Sequence, residues 1–425
     1  MADDAIYEPA ALAELGQRLE RYDRTRDPAH LWPNLSVEAR VAATREIERV
    51  TRSVLAGDVP VVVDPRGAHD AYAITIAAHT TGMGPLLGRW VDDGLVDASP
   101  PVRAYLARHL LHARRRAERI EREVLPVFDA LAERGITPFV LKGFATARQY
   151  FEEPGTRRMS DVDILVDATQ LDDAKSALHA AGFRPSGPAR SPYKQDWIGP
   201  GVDEQVFSVE LSDERTRWAV ELHVSLARVF HPGAVARLDV LRTLTEPLVV
   251  EGHTLAVLTP AASLLTLACH CSQELYSSRL LRLVEIVRVI RAGGVDWNDV
   301  LALLRESGAA RFTYPAFALA EDLAPGTVDQ RVLALARSES TFAARHTVSR
   351  LVPAGGSGDE MGLLRQVMWT RGPVAILHRF IRLVLPMTVG LGPSAVLPSW
   401  RVRARQLRAG LLSIRAPDER RPYSR

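Results

Sequence analysis

The sequence has few cysteines, little net charge and no long uninterrupted apolar run. Its cysteines, Cys269 and Cys271, cannot form a disulfide framework, which fits the reducing conditions of a cytoplasm. The most apolar late stretch, 380–397, is interrupted by arginine, proline and glycine, so no membrane span is predicted. Residues 1–4 lack the basic and apolar segments of a signal peptide. A cytoplasmic location is therefore expected.

The charge balance disfavours one class of partner. The formal net charge is +2 over 425 residues, which gives no support for a dedicated nucleic-acid binder. Arginines nevertheless concentrate on one face of a predicted helix at 101–134 and in the tail after residue 398. A solvated surface is the favoured interpretation of the helix face, and contact with an anionic substrate or RNA is the alternative. Nucleic acid is thus disfavoured as a partner but not excluded.

Length and apolar spacing predict several structural units. A chain of 425 residues with 47% hydrophobic and 24% charged residues should fold, and its length suggests about two to four units. The spacing predicts an α/β or α+β sheet domain between mainly helical N- and C-terminal regions. The predicted regions are a helical N-terminal region at 1–130, the core at 131–232, a helical domain at 233–325, and a helical C-terminal region with a basic tail at 326–425.

Strand and helix patterns alternate within the core. Short apolar runs bounded by glycine, proline or polar residues predict strands, and apolar residues at helical spacing predict helices. The predicted elements, in order, are a strand at 136–141, a helix at 144–151, a strand at 162–166, a helix at 171–181, and strands at 207–211 and 218–224.

Two carboxylates alternate along one predicted strand. Because side chains alternate between faces, Asp161 and Asp163 share one face while Val162 and Ile164 point into the core. Like charges held this close repel each other unless a cation lies between them. Carboxylate oxygens suit hard divalent ions, so the pair predicts a site for Mg²⁺, with Mn²⁺ as an alternative.

A third acid on a later strand would complete such a site. Glu221 and His223 share a face of the predicted strand at 218–224, and Glu221 is predicted to be the ligand nearer the attacking nucleophile. Glu210, on another predicted strand, is the competing choice. His223 is assigned a catalytic or orienting role, with a buried structural histidine as the alternative.

Basic residues flank the acid pair at positions suited to phosphate. Lys142 and Gly143 end the first core strand, where a glycine lets a phosphate approach the backbone. Arg157, shortly before the acid pair, carries a guanidinium that can bind phosphate through two nitrogens. With the acids, these residues indicate a nucleoside triphosphate held through metal ions.

Together these motifs resemble a nucleotidyltransferase family within the DNA polymerase β nucleotidyltransferase superfamily. The superfamily pattern is a glycine turn, then Asp-x-Asp or Asp-x-Glu on a strand, then a third acid on a later strand. The resemblance extends over most of the chain from near residue 70. The residues that carry it are Val140-Leu141-Lys142-Gly143, Tyr150, Arg157, Ser160-Asp161-Val162-Asp163-Ile164-Leu165-Val166 and Glu221-Leu222-His223.

This resemblance implies an α+β fold, in which a small mixed-sheet core is embedded in mainly helical N- and C-terminal regions. It also implies an enzyme that depends on Mg²⁺ and takes an NTP, ATP among them, as donor. It would move an NMP group to a hydroxyl-type acceptor and release pyrophosphate. The acceptor is a small molecule, a peptide or a protein, and its identity is open. The implied catalytic and metal-binding residues are Asp161, Asp163 and Glu221; the nucleotide-binding residues are Lys142, Gly143, Arg157 and Ser160; the substrate-side residues are His223 and His270.

The chain departs from the superfamily pattern in two places. Lys-Gly-Phe at 142–144 replaces the usual Gly-Gly or Gly-Ser turn, and Val224 follows the histidine where the family often has tryptophan. The alternatives to this enzyme are a non-catalytic nucleotide-binding or scaffold protein and a tRNA-directed nucleotidyltransferase. A zinc site at Cys-His-Cys 269–271 is disfavoured, because adjacent residues on a helix point to different sides and zinc takes four ligands.

Overall fold

The computed structural model describes most of the chain between residues 30 and 349. Three predictions fall outside the described residues, namely the strand at 207–211, Glu210 as a metal ligand, and the basic tail after residue 398. The described residues are 14, 17, 18, 20, 21, 30–63, 68–187, 194–200, 216–231, 234–275, 279–349, 351, 368–372 and 376.

A mixed sheet of seven strands forms the centre of the fold. The strands of the described residues are β1 (Val61–Val63), β2 (Val96–Ala98), β3 (Phe139–Leu141), β4 (Asp161–Leu165), β5 (Arg184–Pro185), β6 (Lys194–Ile198), β7 (Ala219–His223), β8 (Arg228–His231), β9 (Ala234–Ala236), β10 (Thr245–Val250) and β11 (His253–Leu258). The order in the large sheet is β10-β11-β3-β4-β7-β6-β5, while β1 pairs with β2 and β8 with β9. The middle of the sheet is therefore β3, β4 and β7.

Helices precede and follow the sheet along the chain. This arrangement confirms the predicted α+β class, with a mixed sheet between mainly helical regions. The helices are α1 (Val37–Ala56), α2 (Ala68–Thr80), α3 (Gly84–Asp92), α4 (Pro100–Ala132), α5 (Lys142–Gln149), α6 (Leu171–Ala180), α7 (Pro260–Gln273), α8 (Arg279–Arg291), α9 (Trp297–Glu306), α10 (Ala310–Leu323), α11 (Gln330–Glu339) and α12 (Phe342–Val348).

The long helix α4 packs its later half against the sheet. Ile120, Val124 and Phe128 are almost fully buried in one cluster with Val140 of β3 and Ile164 of β4. Burying a large apolar side chain stabilises the fold by about 1.5–3 kcal/mol. These contacts hold the strands that carry the acids against a rigid helix.

A second buried cluster joins helices that precede the sheet in the sequence with helices that follow it. Ile74 of α2 and Leu86 of α3 belong to the same buried cluster as Leu264 of α7, Val284 of α8 and Phe312 of α10. The N-terminal and C-terminal helices therefore share one core. This packing places α7, α8 and α10 next to the turn that follows β3, since Leu141 belongs to this cluster as well.

Four strands of the large sheet, the short β5 among them, lie where no strand is predicted from the sequence. β6 is polar and charged, so it lacks apolar alternation. β10 and β11 lie after residue 232 and extend the sheet beyond the predicted core at 131–232, into the segment predicted to be a helical domain. A parallel contact between Ala256 of β11 and Phe139 of β3 joins them to the centre. The sheet thus ends at Leu258 in the sequence.

Candidate active site

The turn between β3 and α5 directs Lys142 toward β4. The strand ends at Leu141 and the helix begins at Lys142, with no loop between them. The backbone of Lys142 has a φ of 23°, which residues with a side chain rarely adopt. Its Nζ lies 2.8 Å from Oδ1 of Asp163. The unusual backbone conformation of Lys142 therefore accompanies an ion pair between its ammonium group and a carboxylate of β4.

Strand register brings Asp163 and Glu221 together. β4 and β7 run parallel, with Asp163 opposite Glu221 and Asp161 opposite Ala219. On the other side of β4, Asp163 is opposite Leu141 of β3. Asp163 thus lies on the central strand of this trio, next to both the Lys142 turn and the acid of β7.

The two oxygens of Asp163 have different surroundings. Oδ1 lies 2.8 Å from Nζ of Lys142 and 2.8 Å from Nε2 of His223. Oδ2 is buried and has no hydrogen-bond partner among the described residues. Burial alone would raise the pKa of Asp163, but Lys142 and His223 hold it well below its usual range. Asp163 is therefore an ionised, fully buried carboxylate with one unpartnered oxygen.

Glu221 and His223 complete a compact group of metal-ligand atoms. One such atom from each of Asp163, Glu221 and His223 lies within 4.8 Å of the others. The Nε2 of His223 is 3.4 Å from Oε2 of Glu221. Burial would lower the pKa of His223, but its hydrogen bonds to the two carboxylates raise it. The imidazole of His223 therefore lies between the two carboxylates.

Asp161 is close to this group but does not belong to its 4.8 Å set. Burial, followed by the negative charge of Asp163, raises the pKa of Asp161 to about 6. The sequence predicts Asp161 with Asp163 and Glu221 as metal ligands, whereas the structure groups His223 with the latter two. The register of β7 sets Glu221 opposite Asp163 and leaves Asp161 opposite an alanine. His223 lies opposite Leu165, and its side chain reaches Oδ1 of Asp163 at 2.8 Å.

The donor set fits a divalent cation. A buried carboxylate oxygen without a partner is costly, and a cation is one way to satisfy it. Oxygens of Asp163 and Glu221 suit Mg²⁺ or Mn²⁺, whereas the Nε2 of His223 already donates a hydrogen bond to Asp163.

Arg157 lies against the glycine of the same turn. A Cβ built on Gly143 would come within 3.1 Å of Nη1 of Arg157, so a glycine permits the approach. Nη1 donates to the carbonyl of Arg158 at 3.0 Å, and Nε donates to Oε1 of Glu285 at 2.6 Å. Burial would lower the pKa of Arg157, but the negative charge of Glu285 outweighs this effect, so the pKa is raised above its usual value. The sequence-predicted Lys142, Gly143 and Arg157 therefore lie together. These three residues and the acids of β4 and β7 form what we call the cleft, with the glycine turn at one end.

Ser160 and His270 have less direct positions. Ser160 is exposed just before β4, and its carbonyl accepts a hydrogen bond from the backbone of Ala219 at 3.4 Å. His270 lies on α7, where burial and then the charge of Lys142 hold its pKa well below the usual value. Its Nδ1 has no hydrogen-bond partner among the described residues. His270 thus lies near Lys142 as a neutral imidazole.

Sequence patterns miss three charged residues of the site. Lys194 of β6 lies 2.5 Å from Oε1 of Glu221 through its Nζ, and 3.5 Å from Oδ1 of Asp196. β6 shows no strand pattern, so nothing in the sequence aligns Lys194 with Glu221. The sequence does carry a signal for Glu285 of α8, because an acid inside an apolar helical run indicates a buried charge that has a partner.

The arginine-rich face of α4 is not simply solvated. Arg116 is buried and donates to the carbonyls of Met159 and Arg217 at 2.8 Å and 3.1 Å. Arg114 forms an ion pair with Glu153 at 2.5 Å. The favoured sequence interpretation is therefore wrong for Arg116, whereas Arg114 keeps 35% of its side chain exposed. Both residues hold the segment that leads into β4.

The chain belongs to a family described as uncharacterised nucleotidyltransferases, whose model matches residues 68–325, more than half of the sequence. A solved structure, an antigenic nucleotidyltransferase-like protein from Paracoccidioides brasiliensis, is similar at 17% identity and a TM-score of 0.30. That similarity covers 51% of this chain and 97% of the other. No curated protein matches the sequence. Within the part of the chain described here, no helix is both long and apolar enough to cross a membrane.

Proposed function

We propose that the protein transfers an NMP group from an NTP to a hydroxyl-type acceptor and releases pyrophosphate, with Mg²⁺ or Mn²⁺ as cofactor. The observation that carries this proposal is the pairing of Asp163 with Glu221 beside Lys142, with one Asp163 oxygen buried and unpartnered. Membership of a nucleotidyltransferase family supports an NTP as the donor. A small molecule, a peptide or a protein is the proposed acceptor.

The acids have the central role in this proposal. Asp161, Asp163 and Glu221 would hold the cation, which when bound neutralises phosphate charge and lowers the pKa of the attacking hydroxyl. His223 donates to Asp163 and so keeps the carboxylate in one orientation. The charge of Asp161 adjusts to the cation, because its raised pKa lies near the physiological range.

Basic groups would bind the triphosphate of the donor. Lys142 and Arg157 bring positive charge to the glycine turn, and Gly143 leaves room for a phosphate at the backbone. Ser160 is proposed to contact the nucleotide from the segment before β4. His223 and His270 are proposed to face the acceptor, with Lys194 beside Glu221 on the same side.

The proposed reaction is a single displacement at the α-phosphorus of the donor. The acceptor oxygen forms a bond to this phosphorus as the bond to the bridging oxygen of the β-phosphate breaks. The pyrophosphate leaves with that electron pair, and the hydroxyl proton passes to a nearby base or to water. Positioning and charge neutralisation supply most of the rate in reactions of this type.

The test is incorporation of an NTP labelled at its α-phosphate into acceptors of a cell lysate, with Mg²⁺ present. The double variant D161N/D163N is expected to lose the incorporation while keeping its fold. A matched control is D172N/D173N, which changes two acids of the same type in the first turn of α6, away from the cleft. Incorporation that survives D161N/D163N would overturn the proposal, and its absence in the native protein for every NTP would favour a non-catalytic role.

A further inference from the structure

Glu285 is a buried acid on a helix that follows the sheet in the sequence. It lies on α8, in the otherwise apolar run Leu283–Ile286, and its side chain is only 2% exposed. A carboxylate buried to this degree needs strong partners, because removing it from water costs several kcal/mol. The partners of Glu285 are therefore informative about why the helix carries it.

Two partners of Glu285 belong to the donor end of the cleft. Its Oε1 accepts from Nε of Arg157 at 2.6 Å and from the hydroxyl of Thr146 at 2.8 Å. Thr146 lies on α5, the helix that begins at Lys142. One carboxylate oxygen thus ties α8, α5 and the arginine before β4 to a single point.

The contact fixes Arg157 in a particular way. Nε of Arg157 donates to Glu285, and Nη1 donates to the carbonyl of Arg158. Nη1 also lies 3.1 Å from the position that a Cβ of Gly143 would occupy. The charge of Arg157 stays within electrostatic reach of Asp161 and Asp163. The guanidinium is therefore held at the glycine turn, with its plane set by contacts on two of its nitrogens.

We infer that Glu285 is a positioning residue for the donor triphosphate, acting through Arg157. This inference rests on the proposed function, in which Arg157 binds a phosphate of the NTP. Glu285 orients the guanidinium before the nucleotide arrives, so less freedom is lost on binding. The C-terminal helices thus take part in the donor site through one side chain of α8.

A second ion pair on the same helix supplies the control. Arg288 of α8 binds Glu152 through two contacts of 2.9 Å each, and this pair is more exposed than the Glu285 pair. It also joins α8 to the segment before β4, but it does not touch Arg157. Loss of this pair tests whether any weakened link to α8 is enough to alter the cleft.

The experiment measures calorimetric binding of ATP, GTP, CTP and UTP with Mg²⁺ to the full chain. E285Q is expected to weaken the tightest-binding NTP about tenfold, the loss typical of one hydrogen bond to a charged group. E152Q is expected to bind as the native protein does. R157Q and the double variant E285Q/R157Q are expected to bind equally weakly, because Glu285 acts through Arg157.

The outcomes separate the two proposals. If the native protein binds none of the four nucleotides, the proposed function fails. If it binds one and E285Q binds as tightly as E152Q, or if E285Q weakens binding further in the R157Q background, the positioning role is overturned. Should E285Q fail to fold because it leaves a buried arginine unpaired, T146V replaces it, with an expected loss of about threefold, and native affinity in T146V overturns the role.

Discussion

At the scale of single residues, two carboxylates on one strand respond in opposite ways to the same cleft. Burial and the charge of Asp163 raise the pKa of Asp161 to about 6, whereas Lys142 and His223 hold the pKa of Asp163 well below its usual range. One strand therefore carries an acid that is ionised at all ordinary pH values and another that changes charge near neutrality. Binding of a cation would favour the ionised form of both.

The first prediction concerns the stability of the metal-free protein against pH. The folded state binds the Asp161 proton more tightly than the unfolded chain does, because the pKa of Asp161 is about 6 in the folded state and 3.8 in the unfolded chain. Its stabilising effect is therefore complete below that value and is lost as the pH rises through about 6. D161N, which keeps the neutral form, is expected to be more stable than the native protein at pH 8 by about 3 kcal/mol, and by about half as much at pH 5.

Denaturant unfolding in the presence of a chelator measures this difference. The control is D172N, because Asp172 is 95% exposed and lies outside the cleft. An advantage of D161N that is the same at both pH values would contradict the assigned pKa. Added Mg²⁺ is expected to reduce the advantage at pH 8, since the cation favours the charged form that D161N lacks.

At the scale of elements, the turn from β3 into α5 decides the donor end of the cleft. Lys142 takes an unusual backbone conformation, and Gly143 next to it leaves space that Arg157 fills. Glu285 and Thr146 hold this arrangement from α8 and α5. A change of a single atom at Gly143 therefore reaches the arginine.

The second prediction is that G143A weakens NTP binding while the fold persists. The added methyl group would lie 3.1 Å from Nη1 of Arg157, which is pinned at Nε and cannot simply turn away. A loss of about threefold to tenfold in affinity is expected from the displaced guanidinium. Calorimetric titration with the preferred NTP and Mg²⁺ measures it.

The control for this variant is G199A. The new Cβ there would meet the ring of Phe183 at 3.4 Å, an ordinary contact far from any arginine of the cleft. Equal affinity of G143A and the native protein would show that the space beside Gly143 is not needed for the nucleotide.

Strand patterns made part of this site predictable from sequence. Alternation places Asp161 with Asp163 and Glu221 with His223, and apolar neighbours identify β4 and β7 as buried strands. The parallel pairing that sets Asp163 against Glu221 is a property of the sheet order, which alternation does not contain. β6 has no apolar alternation, so Lys194 was beyond prediction, and the contact of Glu285 with Arg157 spans 128 positions of the chain.

At the scale of the whole molecule, the sheet depends on elements from both sides of the predicted core. α4 supplies the helix that covers β3 and β4, and β11 pairs with β3 from beyond residue 232. The helices before and after the sheet share one buried cluster. The packing favours a larger folding unit than residues 131–232. The domain boundaries at 130, 232 and 325 are proposals, and so is a cytoplasmic location.

The third prediction follows from this packing. A fragment of residues 131–232 is expected not to fold, because it lacks Ile120, Val124 and Phe128 of α4 and the β10–β11 hairpin. Each missing large apolar side chain removes about 1.5–3 kcal/mol, and the loss of these three is already comparable with the roughly 5–15 kcal/mol that stabilises a domain. Scanning calorimetry is expected to show a cooperative transition for the full chain and none for the fragment. A cooperative transition in the fragment would restore the smaller core.

The measurement that tests the central claim most directly is calorimetric titration of the native protein and D161N/D163N with each of ATP, GTP, CTP and UTP, in Mg²⁺ and in chelator. The account predicts that at least one nucleotide binds the native protein in Mg²⁺, and that both the chelator and the double substitution abolish this binding. The cause is the need for a cation between the acids and the triphosphate. Binding that persists unchanged in chelator and in the double variant, or no binding of any nucleotide to the native protein, would contradict it.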